Sequence, residues 1–106
     1  MMRLELHETL CRILGSRSVY YQPPESIKMQ YPAIVYETSD IKNNFADNRV
    51  YRQSHIYKLT VIDKDPDSEV AEKISLLPTC RFNRGFATDN LNHYVFLIHN
   101  IKEETK

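Results

Sequence analysis

Residues 49–77, RVYRQSHIYKLTVIDKDPDSEVAEKISLL, decide how the chain folds. Tyr51, Gln53, His55, Tyr57, Leu59 and Val61 alternate with Arg52, Ser54, Ile56, Lys58, Thr60 and Ile62, an aromatic and β-branched run of period two that predicts one long strand with a clearly apolar face. A sharp corner follows. Asp65 is expected as a helix N-cap, with Pro66 at the first helical position, where no N–H is needed, and Asp67 and Glu69 at the positive end of the dipole. Val70, Ala71, Ile74 and Leu77 then form the stripe that a short helix would bury.

On the N-terminal side, Met2, Leu6, Leu10, Ile13 and Leu14 share one face of an amphipathic helix over residues 1–15. Glu8 and Arg12 are spaced i, i+4 on the other face, and Gly15 is the expected stop. Residues 19–31, VYYQPPESIKMQY, begin extended and continue as a connector opened by Pro23 and Pro24. Pro32 leads into a short apolar strand, Ala33 to Glu37. The polar run from Thr38 to Asn48 is expected to be a projecting loop joining two antiparallel strands.

Beyond the second helix, Pro78 forces an exit, and Thr79 to Phe86 regains strand character with Cys80, Phe82 and Arg84 on one face and a bulge expected at Gly85. Asp89 and Asn90 mark a turn. Leu91 to Ile101 is apolar on both faces, which makes it an interior strand, and the charged tail 102–106 is expected to fray. The sum is a single α+β domain over residues 1–106, an antiparallel or mixed four-stranded sheet flanked by two helices in the order α-β-β-α-β-β.

A chain of 106 residues supports one core, enough to bury roughly 60 to 70% of the surface its unfolded form exposes. Fourteen basic and fourteen acidic side chains balance, so no global charge draws the protein onto nucleic acid or an anionic membrane. The N-terminus lacks the order of a signal peptide, and no apolar run approaches the ~20 residues of a membrane span, so cytosolic synthesis is expected. Two glycines among eleven aromatic residues argue against a phosphate-cradling loop, and Cys11 and Cys80 are read as buried free thiols.

The candidate chemistry is sparse. Asp63, Asp65 and Asp67 alternate like the start of a calcium loop, but Ser68 stands where that loop needs glycine and Ile74 where it needs a bidentate glutamate, so no metal is expected. His93 and His99 share a face yet lie six residues apart, roughly 20 Å along a strand. His55 is placed to meet His93 or Asp89 if the strands pair that way. Neither cysteine sits where an exposed thiolate is expected, and no catalytic residue or cofactor is assigned. Arg49, Arg52, Lys58, Arg81 and Arg84 interleave with aromatics, as on a single-strand-binding sheet and equally on any solvated sheet face.

Read together and in order, VYYQPPES, YPAIVY, FADNRVYRQSHIYKLTVIDKDPDSE, LPTCRF and ATDNLNHYVF resemble the tail-terminator or tail-completion proteins, minor structural proteins encoded in the head-to-tail joining module of long-tailed bacteriophages and prophages. The resemblance runs from Val19 to Ile98, and YKLTVIDKDPDSE and DNLNHYVF are its most specific parts. It implies a mixed α/β domain that forms a ring, usually a hexamer, capping the head-proximal end of the tail tube. Such a ring stops tube polymerisation and offers the joining surface for the head-side connector. It also implies a virion location after assembly in the host cytoplasm, no enzymatic activity, no cofactor, and DNA as a partner only in transit.

Neighbouring subunits or the tube are then expected to meet Asn43, Asn44, Phe45, Asp47 and Asn48 of the projecting loop and Asp89 and Asn90 of the later turn, because loops held by a rigid sheet make suitable patches. Phe45 has two readings, folding back on its own hairpin or docking into a neighbour. Arg49, Arg52 and Arg84 are the candidate channel-facing cations. Two alternatives stand beside the terminator reading: a head-side neck adaptor or stopper of the same joint and, in a different class, a small single-stranded nucleic-acid-binding module.

Overall fold

The computed structural model describes the backbone of residues 3–24, 27–46 and 49–103 and, within these, the side chains outside 44–52 and 100–103. The fold is α+β, with two helices on one five-stranded mixed sheet, one strand more than the periodicities predict. In chain order the elements are α1 (Arg3–Leu14), β1 (Val19–Tyr21), β2 (Ala33–Ala46), β3 (Arg49–Asp63), α2 (Glu69–Ser75), β4 (Cys80–Thr88) and β5 (Leu91–Glu103). Across the sheet the order is β1-β2-β3-β5-β4. β5 is interior, as its two apolar faces require.

The extra strand, β1, runs parallel to the start of β2, with Val19 opposite Ile34 and Tyr21 opposite Tyr36. The Ile34 N–H donates to the Ser18 carbonyl and the Gln22 N–H to the Tyr36 carbonyl. This pairing is made by the backbone over three residues, too short to write a period into the sequence. The connector then carries Pro23 to the sheet face away from the helices, where it lines a hollow with Lys58 and Thr60.

Register assigns the two faces. Tyr36 faces Leu59, which faces Phe96, and Ile34, Val61 and Tyr94 form the next row. These residues, with Tyr57 and Ile98, meet Leu6, Leu10 and Cys11 of α1 and Ala71 and Ile74 of α2 in one core. Tyr36 is wholly buried, and burial raises the pKa of its hydroxyl although Arg3 opposes the shift. Its Oη accepts from Arg3 Nη1 at 3.3 Å and lies 2.8 Å from His7 Nδ1, so the polar end of a buried ring is satisfied by the helix above it. Gly15 closes α1 at φ 79°, its N–H donating to Cys11 O, as a glycine C′ stop should. Glu8 does not use Arg12 four residues on. It pairs with Arg17 at 3.0 Å, which lowers its pKa, while Arg12 donates to Thr9.

The corner after β3 differs from the expectation. α2 starts at Glu69, and its N-cap is Ser68, whose Oγ accepts the Ala71 N–H at 3.2 Å and donates to the buried Asp63 carboxylate at 2.8 Å. Asp65 and Pro66 belong to the approach. The Asp65 N–H donates to Asp63 Oδ1 and the Asp67 N–H to Asp65 Oδ1, two successive turns closed by aspartate side chains. The alternating carboxylates shape this corner. Among the described residues no three His, Cys, Asp or Glu side chains gather as metal ligands.

Candidate functional site

The expected loop from Thr38 to Asn48 is largely strand. β2 continues unbroken to Ala46 and pairs antiparallel with β3 as far as Ala46 opposite Arg49, with register irregularities between Thr38 and Asp40 and between Asn44 and Phe45. Asp47 and Asn48 lie outside the described residues. β5 follows on the other side of β3, with Glu103 opposite Arg52. The result is a three-stranded arm extending the sheet beyond the helices, and the molecule measures 52 × 24 × 22 Å. By polar composition alone this stretch reads as loop. A strand with water on both sides needs no apolar face, so its pairing left no hydrophobic period to read.

On the helix-side continuation of the arm, side chains bond to one another both across β2 and β3 and along β3. Gln53 Nε2 donates to Asn43 Oδ1 at 3.0 Å, and His55 Nε2 lies 2.7 Å from Gln53 Oε1. An amide oxygen only accepts, so His55 carries its proton on Nε2 in this bond. Ile41 lies in the same row, opposite His55, and is 49% exposed. Outside β1, which pairs with Ile34 to Tyr36, the outer edge of β2 has no neighbouring strand among the described residues. Asn43 is exposed. Asn44, Phe45, Arg49 and Arg52 are fixed here by backbone register alone.

The second predicted patch is a tight hairpin turn. Asp89 (φ 52°) and Asn90 (φ 62°) both take the left-handed conformation that a two-residue turn demands, and both are exposed. This turn joins β4 to β5 at the same sheet end as Asp63, since Asn92 pairs with both Ala87 and Asp63. It therefore lies at the end of the molecule away from the arm. The two candidate patches, expected to meet a neighbouring subunit or the tube, thus lie at opposite ends of the sheet.

β4 forms the far edge, and residues 81–88 are all exposed. The irregularity lies between Phe82 and Arg84, at Asn83, while Gly85 pairs regularly with Tyr94. One extra residue reverses the alternation. Phe82 stays on the helix side, edge-on to Phe96, and Arg84 moves to the opposite face beside Val95, away from Cys80 and Phe82. There the Arg84 guanidinium stands 5.4 Å from the Phe86 ring centre, and Phe86 stacks on His93 at 4.6 Å. His93 faces Ile62 and His55 faces Asn100, so the sheet does not bring the histidines together, nor His55 to Asp89. The Cys80 thiol, half-buried, has its pKa pushed up to about 11 by burial and is a poor nucleophile.

One groove was not foreseen in the sequence. Between α2 and the β4 edge, about 360 Å³ of space lies over Ala71, Phe82 and Phe96, flanked by Asp67 and Glu72. Phe82 is 56% exposed at its mouth, and neither carboxylate has an ion-pair partner among the described residues. The only sequence signal was an aromatic on an edge strand facing a helix with an acidic first turn.

No family model, curated protein or solved structure matches this chain.

Proposed function

We propose that this chain is a non-enzymatic structural protein of a long-tailed phage, a subunit of a ring that caps the head-proximal end of the tail tube. The observation that carries the reading is the arm. A small domain that only had to fold has no use for three strands reaching past its helices, with an outer edge that no other strand pairs among the described residues and a face on which Ile41 and Asn43 are exposed beside half-buried Gln53 and His55. Such an extension suits assembly with further copies and with a tube, and the sequence resemblance over residues 19–98 names the assembly. Balanced charge agrees with a conduit through which DNA must slide, and Arg84 is a candidate channel-facing cation. Purified protein added to growing tail tubes should form a ring at their ends and halt elongation. A persistent monomer that leaves the tubes growing contradicts the reading.

The Arg84–Phe86–His93 stack, spanning exposed β4 and its neighbour β5, favours one other class, a single-stranded nucleic-acid module. That reading requires binding that falls steeply with salt, and no binding at low salt disposes of it.

A further inference from the structure

We infer that β4 is a strand-addition site for an acidic segment of another protein: an extended polypeptide, with two carboxylates on one side and a bulky apolar side chain between them on the other, pairs along the free edge. Its carboxylates meet Arg81 and Arg84, and its apolar group lies over Phe82. The site stands whether or not the chain builds a ring; where both hold, Arg84 meets a carboxylate instead of the channel.

The two edges of the sheet are finished differently. At the β2 edge, β1 pairs with Ile34 to Tyr36, and side chains close the next positions: Gln22 Oε1 accepts the Thr38 N–H at 3.2 Å and Asp40 Oδ1 the Ile41 N–H at 2.8 Å. β4 has no such cover. Its residues 81–88 are all exposed, no proline interrupts them, and among the described residues no side chain bonds their backbone, so a row of N–H and C=O groups faces water along the outer edge. Main-chain groups of that kind give an added strand its affinity, and the side chains around them choose its sequence.

Register defines that sequence. Arg81 pairs with Leu97, Phe82 with Phe96 and Arg84 with Val95, so the bulge at Asn83 brings the two arginines to successive positions on one face, with Phe82 between them on the other. A regular strand laid alongside therefore places residues i and i+2, about 7 Å apart, beside Arg81 and Arg84 and residue i+1 over Phe82. Both arginines are exposed, neither has an ion-pair partner among the described residues, and β4 contains no carboxylate. On the helix side, the i+1 side chain enters the groove of about 360 Å³ over Ala71, Phe82 and Phe96, whose floor favours an apolar group and whose flanking Asp67 and Glu72 repel a third carboxylate. Antiparallel pairing with β4 of a second copy is disfavoured, because it gathers the arginines of both on one face. An acidic strand removes that repulsion.

A fluorescent peptide tests the site. Thr-Val-Thr-Glu-Leu-Glu-Thr-Val-Thr reads the same in both directions and so fits a parallel or an antiparallel approach. Fluorescence anisotropy should show it binding the full chain roughly tenfold or more tightly than the same peptide with lysine for both glutamates. It should also bind several-fold more tightly than the isomer with Leu-Glu-Glu at its centre, which splits the carboxylates between the two faces. Amide exchange should slow at residues 80–88 and not at the β2 edge. Arg81→Glu with Arg84→Glu should reverse the preference, taking the lysine peptide and losing the glutamate one, and the peptide series alone decides the matter if that variant does not fold. Binding of either control peptide as tight as that of the first, no binding up to millimolar concentration, or protection confined to another surface overturns the site. So does displacement of the glutamate peptide by oligothymidylate, which assigns the edge to nucleic acid. The capping of tail tubes is read separately, so failure here leaves the ring reading standing.

Discussion

The helix-covered body and the bare arm are built from the same three strands, and they obey different rules. In the body, β2, β3 and β5 supply Tyr36, Leu59 and Phe96, side by side and almost wholly buried. A few residues further along, β2 and β3 present Asn43, Gln53 and His55, linked through Gln53 on a partly exposed face. Burial of the first kind stabilises a fold by roughly 25 cal/mol per Å² of apolar surface, whereas exposed polar pairs contribute little. The sheet is therefore longer than its core needs, and the surplus length is available for partners.

The sharpest probe of the contrast is a cavity in the body. Leu59→Ala, at the centre of the sheet beneath both helices, should cost about 2–5 kcal/mol in urea unfolding. A loss under about 1 kcal/mol would mean the core is not where the packing places it. Next in size is the corner that joins body strand to body helix. Ser68→Ala removes the cap of α2 and the hydroxyl bonded to buried Asp63, for about 1–2 kcal/mol, whereas Asp65→Ala should cost clearly less if Ser68 is the cap. Equal losses would restore Asp65 to that role.

In the arm, Gln53→Ala breaks both side-chain bonds of the polar row yet should move stability by no more than about 0.5 kcal/mol, because every group it releases can turn to water. A larger loss would make the arm part of the cooperative core. The remaining effect is alkaline and is confined to high pH. A thiol whose folded pKa is raised to about 11 keeps its neutral-form stability below the ordinary value of 9.0 and loses it as pH climbs through that interval. Tyr36, also raised by burial, adds to the fall from its ordinary 10.0 upward. Cys80→Ala should flatten the part of the stability profile that begins near pH 9, and an unchanged profile would place Cys80 in water.

The same division explains what could be read from the sequence. Where burial dictates residue type, the period was plain: Leu6 and Leu10 on α1, Leu59 and Val61 on β3, Ala71 and Ile74 on α2 all fall in the core. Asp89 and Asn90 announced their turn because few residues accept positive φ. The arm from Thr38 to Ala46 was hidden, since strands solvated on both faces carry the composition of loops. Ser68 was hidden behind Asp65-Pro66, a better-looking start signal that the chain spends on the turns before the helix. The reversal at Asn83, which sends Arg84 to the other face, is set by pairing with β5 and has no local signature. The candidate groove is assembled by α2, β4 and β5 together, so no single stretch of sequence contains it.

Shortening the arm tests the central claim most directly. Ile41 and His55 are direct partners, so replacing residues 42–54 by Asn-Gly closes the hairpin with a two-residue turn and leaves the body intact. Thermal unfolding and light scattering on this chain should show a cooperative transition within a few degrees of the full-length midpoint together with complete loss of self-association. An unfolded chain, or a folded one that assembles as before, would contradict the account.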